Sequence, residues 1–503
     1  MLVFTVLISV VLSFIIWRTI LFIVWVNRTL RMTSNIPITP FFETLLKLGK
    51  AQNLEEMYNL FIGLKDTYMD SEDQILRTWV GPKLFLTIGN PKHIETVLSS
   101  QDAIQKDSVY EYFTLFGAGP FALNGSRWAE LRKPLNKLIT KPMIESNLGV
   151  FYEKATKLSN ILSKLAQNGN SVDMRHYIAN YFADTLAVST FGHELNELEQ
   201  DKWNLAENIE RVISGAVILI AKFPYCLSFA LAIRSKEGQK ALQSSKCLWS
   251  ACNEMIDGRL ANKQKLGETL DEEPKFYSDI VQQVAKKRNL NKLERGQLAG
   301  DVLVGGYDTS AVTAATVLLM LAMFPEHQEG VYNEQINLVG DDTSVPLTWE
   351  QLSNMHYLTR VIKETLRRHN PPTIARVAAN DIDLGKYKIP KGATIFIILY
   401  LLHRHPTCWS HPTEFYPDHF LPEETATRPK SAFYPFSWGP RSCPGKLYAM
   451  ISMKVLLSIL IRKYKFETDL KFEDLKYKFG IMLEVAQGYH LRIKLRHPTS
   501  NEL

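Results

Sequence analysis

The stretch Phe436-Ser-Trp-Gly-Pro-Arg-Ser-Cys-Pro-Gly445 concentrates more potential chemistry than any other in the chain. Read as a loop entering a helix, it sets Cys443 where exposed backbone N–H groups and the helix dipole favour a thiolate. Gly439 and Gly445 let the backbone turn tightly and approach a flat ligand. Phe436 can cover the sulfur, and Arg441 can neutralise an acidic group at the ligand's edge. A lone cysteine is more often a small buried apolar residue. The spacing F-x-x-G-x-R-x-C-x-G argues otherwise, because five fixed positions arise by chance roughly once in ten thousand chains of this length.

This segment resembles the haem-ligand loop of the cytochrome P450 monooxygenases. The resemblance implies that Cys443 holds the iron of haem b as a thiolate that pushes electron density toward it. Phe436, Gly439, Arg441 and Gly445 would then surround the cofactor.

Three further constellations stand in the order that family shows. Gly305-Gly306-Tyr-Asp308-Thr309-Ser310 sits inside an apolar helical stretch. An acid and a hydroxyl there are costly unless used or bonded, and two glycines let a ligand lie against the backbone. The residues alone leave two readings open. Asp308 and Thr309 relay protons, or the threonine bonds back one turn and the acid is salt-bridged nearby. The resemblance implies the first, with proton delivery to iron-bound dioxygen through water. Glu364 and Arg367, at i, i+3, share one helix face about 80 residues before the loop. The family buries such a pair with an arginine as third partner; here His419 fills that place, without the bidentate fork of arginine. Trp128 and Arg132, at i, i+4, can reach one ligand edge, or be a half-buried Trp beside a surface Arg. The resemblance puts both on haem propionates, together with Arg376 and Arg441. In the ω-hydroxylase branch a glutamate esterified to haem stands where this chain has Gly305, which implies non-covalently held haem.

Helices must position these groups. Apolar residues recur at three- and four-residue spacing over Phe151–Leu165, Asp173–Phe191, Asn204–Ile220 and Ala241–Leu260. Lys263 to Lys275, with Asp271, Glu272, Glu273 and Pro274, reads as a charged surface loop. Leu293–Phe324 is a long helix, apolar nearly all round past Gly300 and hence buried, ended or bent at Pro325. Trp349–Arg368 is another helix, and one more follows Cys443 to about Arg462. Ile75–Ile88 reads as a hairpin turning at Gly81-Pro82, Ile374–Tyr400 as a small antiparallel sheet, and Lys478–Leu495 as strands. The expected fold is mainly α with a minor antiparallel β region, a triangular helical body with the long central helix over haem.

The 503 residues are 46% hydrophobic and carry a formal charge of +6, which excludes a disordered chain and gives no sign of nucleic-acid binding. Five scattered cysteines give no disulfide framework and no zinc spacing, which fits a reducing compartment. Residues 1–26 are apolar apart from Arg18 and long enough to cross a bilayer. Arg18, Arg28 and Arg31 place the following chain in the cytosol, so neither Asn27-Arg-Thr29 nor Asn124-Gly-Ser126 would be glycosylated. The expected organisation is an anchor at 1–26, a basic, proline-bearing hinge at 27–40 and a catalytic domain at 41–503.

Together these imply a monooxygenase of the endoplasmic reticulum membrane, its catalytic domain on the cytosolic face. It would insert one atom of O2 into a lipophilic substrate, with the character of insect members near the ω-hydroxylase branch. Electrons would come from NADPH through a separate cytochrome P450 reductase, with cytochrome b5 as a second donor. Lys133, Lys137, Lys446 and Lys454 are candidates for the docking face, against the reading of a solvated surface. The substrate pocket would draw on Tyr110–Leu123 and Arg211–Phe229. A haem-thiolate isomerase or dehydratase would not need Asp308-Thr309. A non-catalytic haem carrier would bind haem without turnover, and a tethered structural protein without haem would have no use for the complete loop.

Overall fold

The computed structural model describes residues 2–40, 47, 49–69, 72–80, 83–167, 169–222, 225–269 and 272–496. Helix α1 (Leu2–Met32) continues past residue 26 and is followed by α2 (Leu54–Tyr68). Strands β1 (Ile75–Val80) and β2 (Lys83–Ile88) pair antiparallel in the expected hairpin register. The turn at Gly81-Pro82 lies outside the described residues, as does Asp271. The body then runs through α3 (Gly125–Leu138), α4 (Leu148–Ala166), β3 (Val172–Asp173), α5 (Met174–Leu186), α6 (Leu205–Ala221), α7 (Lys236–Lys265) and α8 (Lys292–Met323).

Helix α8 is the axis. Asn291 accepts from the Glu294 N–H while Glu294 reaches back to the Asn291 N–H, a capping box that fixes its start. From Ala311 to Leu321 every residue is buried. It ends before Pro325, whose ring fits the first turn of α9 (Pro325–Val339).

The helix expected over Trp349–Arg368 is two, α10 (Trp349–Asn354) and α11 (His356–Arg368). The break comes at Met355, and the freed amides of Tyr357 and Leu358 donate to the Glu334 carboxylate on α9. A side chain of another helix thus supplies the cap that local sequence does not.

Strands β4 (Ile374–Val377), β5 (Ile382–Asp383), β6 (Lys388–Ile389) and β7 (Thr394–Ile397) follow. The main sheet runs β1-β2-β7-β4. Its β2–β7 pairing is parallel, so this sheet is mixed rather than purely antiparallel. Strands β5 and β6 form a separate small hairpin. Helix α12 (Lys446–Lys463) leads into β8 (Tyr464–Glu467), β9 (Tyr477–Phe479), β10 (Leu483–Val485) and β11 (His490–Leu495). One large apolar core surrounds α8, and a second fills the space beside the main sheet.

The region following α1 is not a free hinge. Arg77 exchanges backbone hydrogen bonds with Pro37 and Thr39, at 2.8 and 3.1 Å, and Ile36 is buried in the sheet-side core. Helix α1 itself is long and apolar enough to cross a membrane over Val6–Met32, and its large apolar side chains from Phe4 to Val24 are exposed.

Candidate active site

The loop ahead of α12 is held by its own backbone. The Cys443 N–H donates to the Phe436 carbonyl at 2.8 Å, and that of Ser442 to Gly439 at 3.0 Å. Gly439 has φ +76°, and a Cβ there would lie 2.5 Å from the Leu98 carbonyl oxygen, so both conformation and space require glycine. These constraints turn the Cys443 side chain into a cavity of about 1020 Å³. The thiol is exposed, and the space it is exposed to is this cavity. Burial pushes its pKa up, while the Gly445 amide, Arg132 and Lys106 pull it down.

Helix α8 forms another wall. Gly305 and Thr309, one turn apart, line the cavity. A Cβ at Gly305 would meet nothing within 4 Å, whereas one at Gly306 would come 2.9 Å from Leu186 on α5. Gly305 therefore leaves open space, and Gly306 serves helix packing as well as lining. Thr309 Oγ1 donates to the Gly305 carbonyl at 2.6 Å, the one-turn back-bond considered above.

Asp308 is not among the lining residues. Its Oδ1 meets Arg175 at 3.1 Å, and Arg175 meets Glu484 at 3.0 Å. Glu210 and Lys478 complete this network. Burial raises the Asp308 pKa against the pull of Arg175. The structure thus sets Asp308 behind the helix face that carries Thr309.

Arg132 on α3, Arg376 on β4 and Arg441 on the loop line the cavity, while Trp128, also on α3, is not among the lining residues and meets the site only through Arg441. Arg132 donates to the Ser442 carbonyl at 2.6 Å. Arg441 donates to the Leu123 carbonyl at 2.7 Å and lies over the Trp128 ring at 4.5 Å. Arg376 is buried and donates to the Ala375 carbonyl at 2.9 Å. Sequence reasoning missed a fourth cation. Lys106 is buried between the rings of Tyr110 and Phe121, at 4.1 and 3.9 Å, and donates to the Phe121 carbonyl. Asn124 places it, accepting from its N–H and donating to its carbonyl at 2.9 and 2.8 Å.

None of the four cations is in an ion pair among the described residues. Burial, joined by repulsion from Arg376 and Arg441, holds Lys106 well below its usual pKa. Burial and repulsion from Arg376 and Arg132 bring Arg441 down to about 10. Trp128 Nε1 is buried with no hydrogen-bond partner among the described residues.

A cluster of cations with no ion pair among the described residues, a thiol facing open space and a glycine that leaves room at another wall fit one kind of occupant. It is flat, carries carboxylates at one edge and has a centre that takes a sulfur ligand. The expected haem meets that description.

Asp301, one turn before Gly305, was also missed. It accepts from the Phe121 N–H at 2.6 Å, and burial raises it to about 7 against that bond and Lys106. Gly117, Gly119 and Gly300 allow the loop and α8 to touch: a Cβ at any of them would lie 2.5 Å or less from the other segment. The three glycines were the only sequence signal of this contact. It brings Phe113, Phe116 and Phe121 to the cavity, while α6 contributes Val217 and Ile220.

Behind the loop, Arg367 joins Glu364 through two hydrogen bonds of 2.8 and 2.6 Å and donates to the carbonyls of His403, Pro412 and Glu414. His419 Nδ1 lies 3.2 Å from Glu364, so the histidine takes the third corner. Burial works to raise Glu364, but its bonds to Arg367 and His419 outweigh that and lower it.

Of the docking lysines, Lys133, Lys137 and Lys446 are exposed. Lys454 is not: it is buried, donates to the Leu352 carbonyl at 2.7 Å, and burial lowers it to about 8. It faces inward from α12 and leaves the candidate surface.

The family described as Cytochrome P450 matches residues 36–491. The sequence is 27% identical to cytochrome P450 4g1 of Drosophila melanogaster, over 93% of this chain and 90% of that protein. It is 28% identical to cytochrome P450 4V2 of Homo sapiens, over 84% and 82%. It is also 28% identical to cytochrome P450 4c21 of Blattella germanica, over 94% and 95%.

Proposed function

The chain belongs to the cytochrome P450 family and is a haem-thiolate monooxygenase; from that premise we propose which of its residues serve the reaction, on what kind of substrate, and where. Cys443 is the iron ligand, and Phe436 covers its sulfur. Trp128, Lys106, Arg132, Arg376 and Arg441 bind the two haem carboxylates, and Gly305 leaves the cofactor without a covalent ester. Haem, when bound, supplies the redox chemistry by which one atom of dioxygen enters the substrate and the other leaves as water.

Thr309 Oγ1 lies at the cavity wall with its own hydrogen on the Gly305 carbonyl, so it accepts a hydrogen bond from a water and positions that water to deliver a proton. Asp308 stands behind it as a proton store, kept in place by Arg175. The aromatic and aliphatic lining excludes bulk water and takes a lipophilic substrate. Glu364, Arg367 and His419 hold the region behind the loop. Electrons arrive from NADPH through a separate cytochrome P450 reductase, with cytochrome b5 as a second donor. Lys133, Lys137 and Lys446 are the surface for that docking.

Helix α1 anchors the chain in the endoplasmic reticulum membrane, and Arg18, Arg28 and Arg31 set the catalytic domain on the cytosolic side. Residues 1–26 form the anchor, 27–40 the connection and 41–503 the catalytic domain.

The observation that carries this reading is the Cys443 thiol, open to a cavity lined by four cations that form no ion pair among the described residues. The test is the carbon-monoxide difference spectrum of the reduced protein beside that of Cys443→Ala. A red-shifted thiolate band that the variant lacks is expected. An imidazole-type spectrum, or no haem, overturns the assignment.

A further inference from the structure

The base of α1 is fastened to the catalytic body. Trp25 Nε1 donates to the Lys391 carbonyl at 2.9 Å, and its ring meets Trp79 edge-on at 5.8 Å. Arg28 pairs with Asp381. Thr33 is buried and accepts from Arg77 at 3.0 Å, and Asn35 donates to the Lys386 carbonyl at 2.8 Å. Three of these contacts end on the β5–β6 hairpin and its flanks.

The same helix fixes where the bilayer surface lies. Ile20, Leu21, Phe22, Ile23 and Val24 are 42–58% exposed. A continuous apolar surface of that kind is covered by hydrocarbon, not water. Hydrocarbon must therefore reach Val24, which leaves Trp25 at the interface where indoles collect. Residues 5–24 then span about 30 Å. Arg18 lies about 10 Å below Trp25, within the range from which an arginine stem reaches up to the headgroups. The hairpin bonded to Trp25 and Arg28 must stand at headgroup level.

Its charges are unequal. Asp381 is engaged by Arg28 and the Lys391 N–H, Asp383 by the Gly385 N–H, and Asp73 by Lys386 and Tyr387. Lys388, Lys391 and Arg31 are exposed and form no ion pair among the described residues. We propose that the β5–β6 hairpin, with Arg31, binds anionic phospholipid headgroups, and that the Trp25–Arg28 clasp holds the catalytic body against the membrane as one unit with α1. This rests on the reading of α1 as a membrane span.

The full chain is reconstituted in nanodiscs carrying a photoreactive headgroup on either phosphatidylserine or phosphatidylcholine, and the adducts are mapped by peptide. Residues 381–391 should take the serine lipid at least fivefold over the choline lipid. Lys388→Gln with Lys391→Gln should remove most of that preference, at about fivefold per lysine. Arg28→Asp should lower hairpin labelling with both lipids, and Arg28→Asp with Asp381→Arg should restore it. An unlabelled hairpin, or equal labelling by both lipids, overturns the proposal. Release of the chain by alkaline carbonate would instead overturn the membrane-span reading.

Discussion

His419 Nδ1 lies 3.2 Å from Glu364 Oε2, and both side chains are wholly buried. The other ring nitrogen, Nε2, accepts the His411 N–H at 3.2 Å. That acceptor fixes the tautomer: Nδ1 carries the hydrogen and donates it to the carboxylate, so a neutral ring satisfies both partners. The corner that the family gives to an arginine is here a neutral hydrogen-bond donor, and the charge balance is Glu364 against Arg367 alone.

This assigns different weights to the two partners. Arg367→Ala leaves a buried carboxylate uncompensated and should cost about 3–5 kcal/mol. His419→Ala removes one donor and should cost about 1–3 kcal/mol. Urea unfolding of both variants checks the order, and equal losses would contradict it. Because the Glu364 pKa is lowered in the fold, its stabilisation is present above the ordinary carboxylate range. It is lost as pH falls through the lowered value.

Lys106 should act oppositely in the two forms of the protein. Without cofactor it is a buried cation beside Arg376 and Arg441, so Lys106→Met should stabilise the haem-free chain by about 1–4 kcal/mol. On the proposed role it binds a haem carboxylate, so the same variant should lose haem faster to apomyoglobin. A thermal melt of the haem-free chain and a haem-transfer rate read the two effects separately.

Gly305 faces open space, so a longer side chain fits there. Wild-type haem should pass entirely into acidified organic solvent. In Gly305→Glu, after turnover, a fraction should stay with the polypeptide. Complete extraction from the variant would show that the carboxylate does not reach the cofactor's edge.

Thr309→Ala removes the one hydroxyl that Gly305's carbonyl holds at the cavity wall. Reducing equivalents should then go to peroxide, with product per NADPH falling several-fold. Unchanged coupling would remove Thr309 from proton delivery.

Burial raises Glu484 to about 7 against the pull of Arg175, and Asp308 adds to the rise. A carboxylate raised in the fold favours stability below its ordinary value and loses that contribution as pH climbs through the raised one. Glu484→Gln should therefore flatten the fall in Tm between pH about 4.5 and about 7. An unchanged slope would place the titration elsewhere.

Short-range patterns were legible in the sequence. The helix around Gly305 and Thr309 and the Glu364–Arg367 pair follow from spacing within one element, and the β1–β2 hairpin from strand character on either side of Gly81-Pro82. Phe436, Arg441 and Gly445 of the loop line the cavity with Cys443, while Gly439 packs against Leu98 instead. What stayed hidden depends on distant partners. The break at Met355 is capped by Glu334 from another helix, and the parallel β2–β7 pairing joins strands about three hundred residues apart. Lys106 belongs to no motif, since only Asn124 and two aromatic rings bring it to the cavity. Lys454 looked like surface because a lysine usually is, and a single carbonyl on α10 turned it inward.

Gly439 is constrained twice, by a backbone angle and by the Leu98 carbonyl. Every base change that replaces this glycine adds a Cβ, so a saturation library should return no active clone at position 439. A compensating change cannot come from within the loop, because the obstruction is main chain of a separate segment, which no side-chain substitution can trim away.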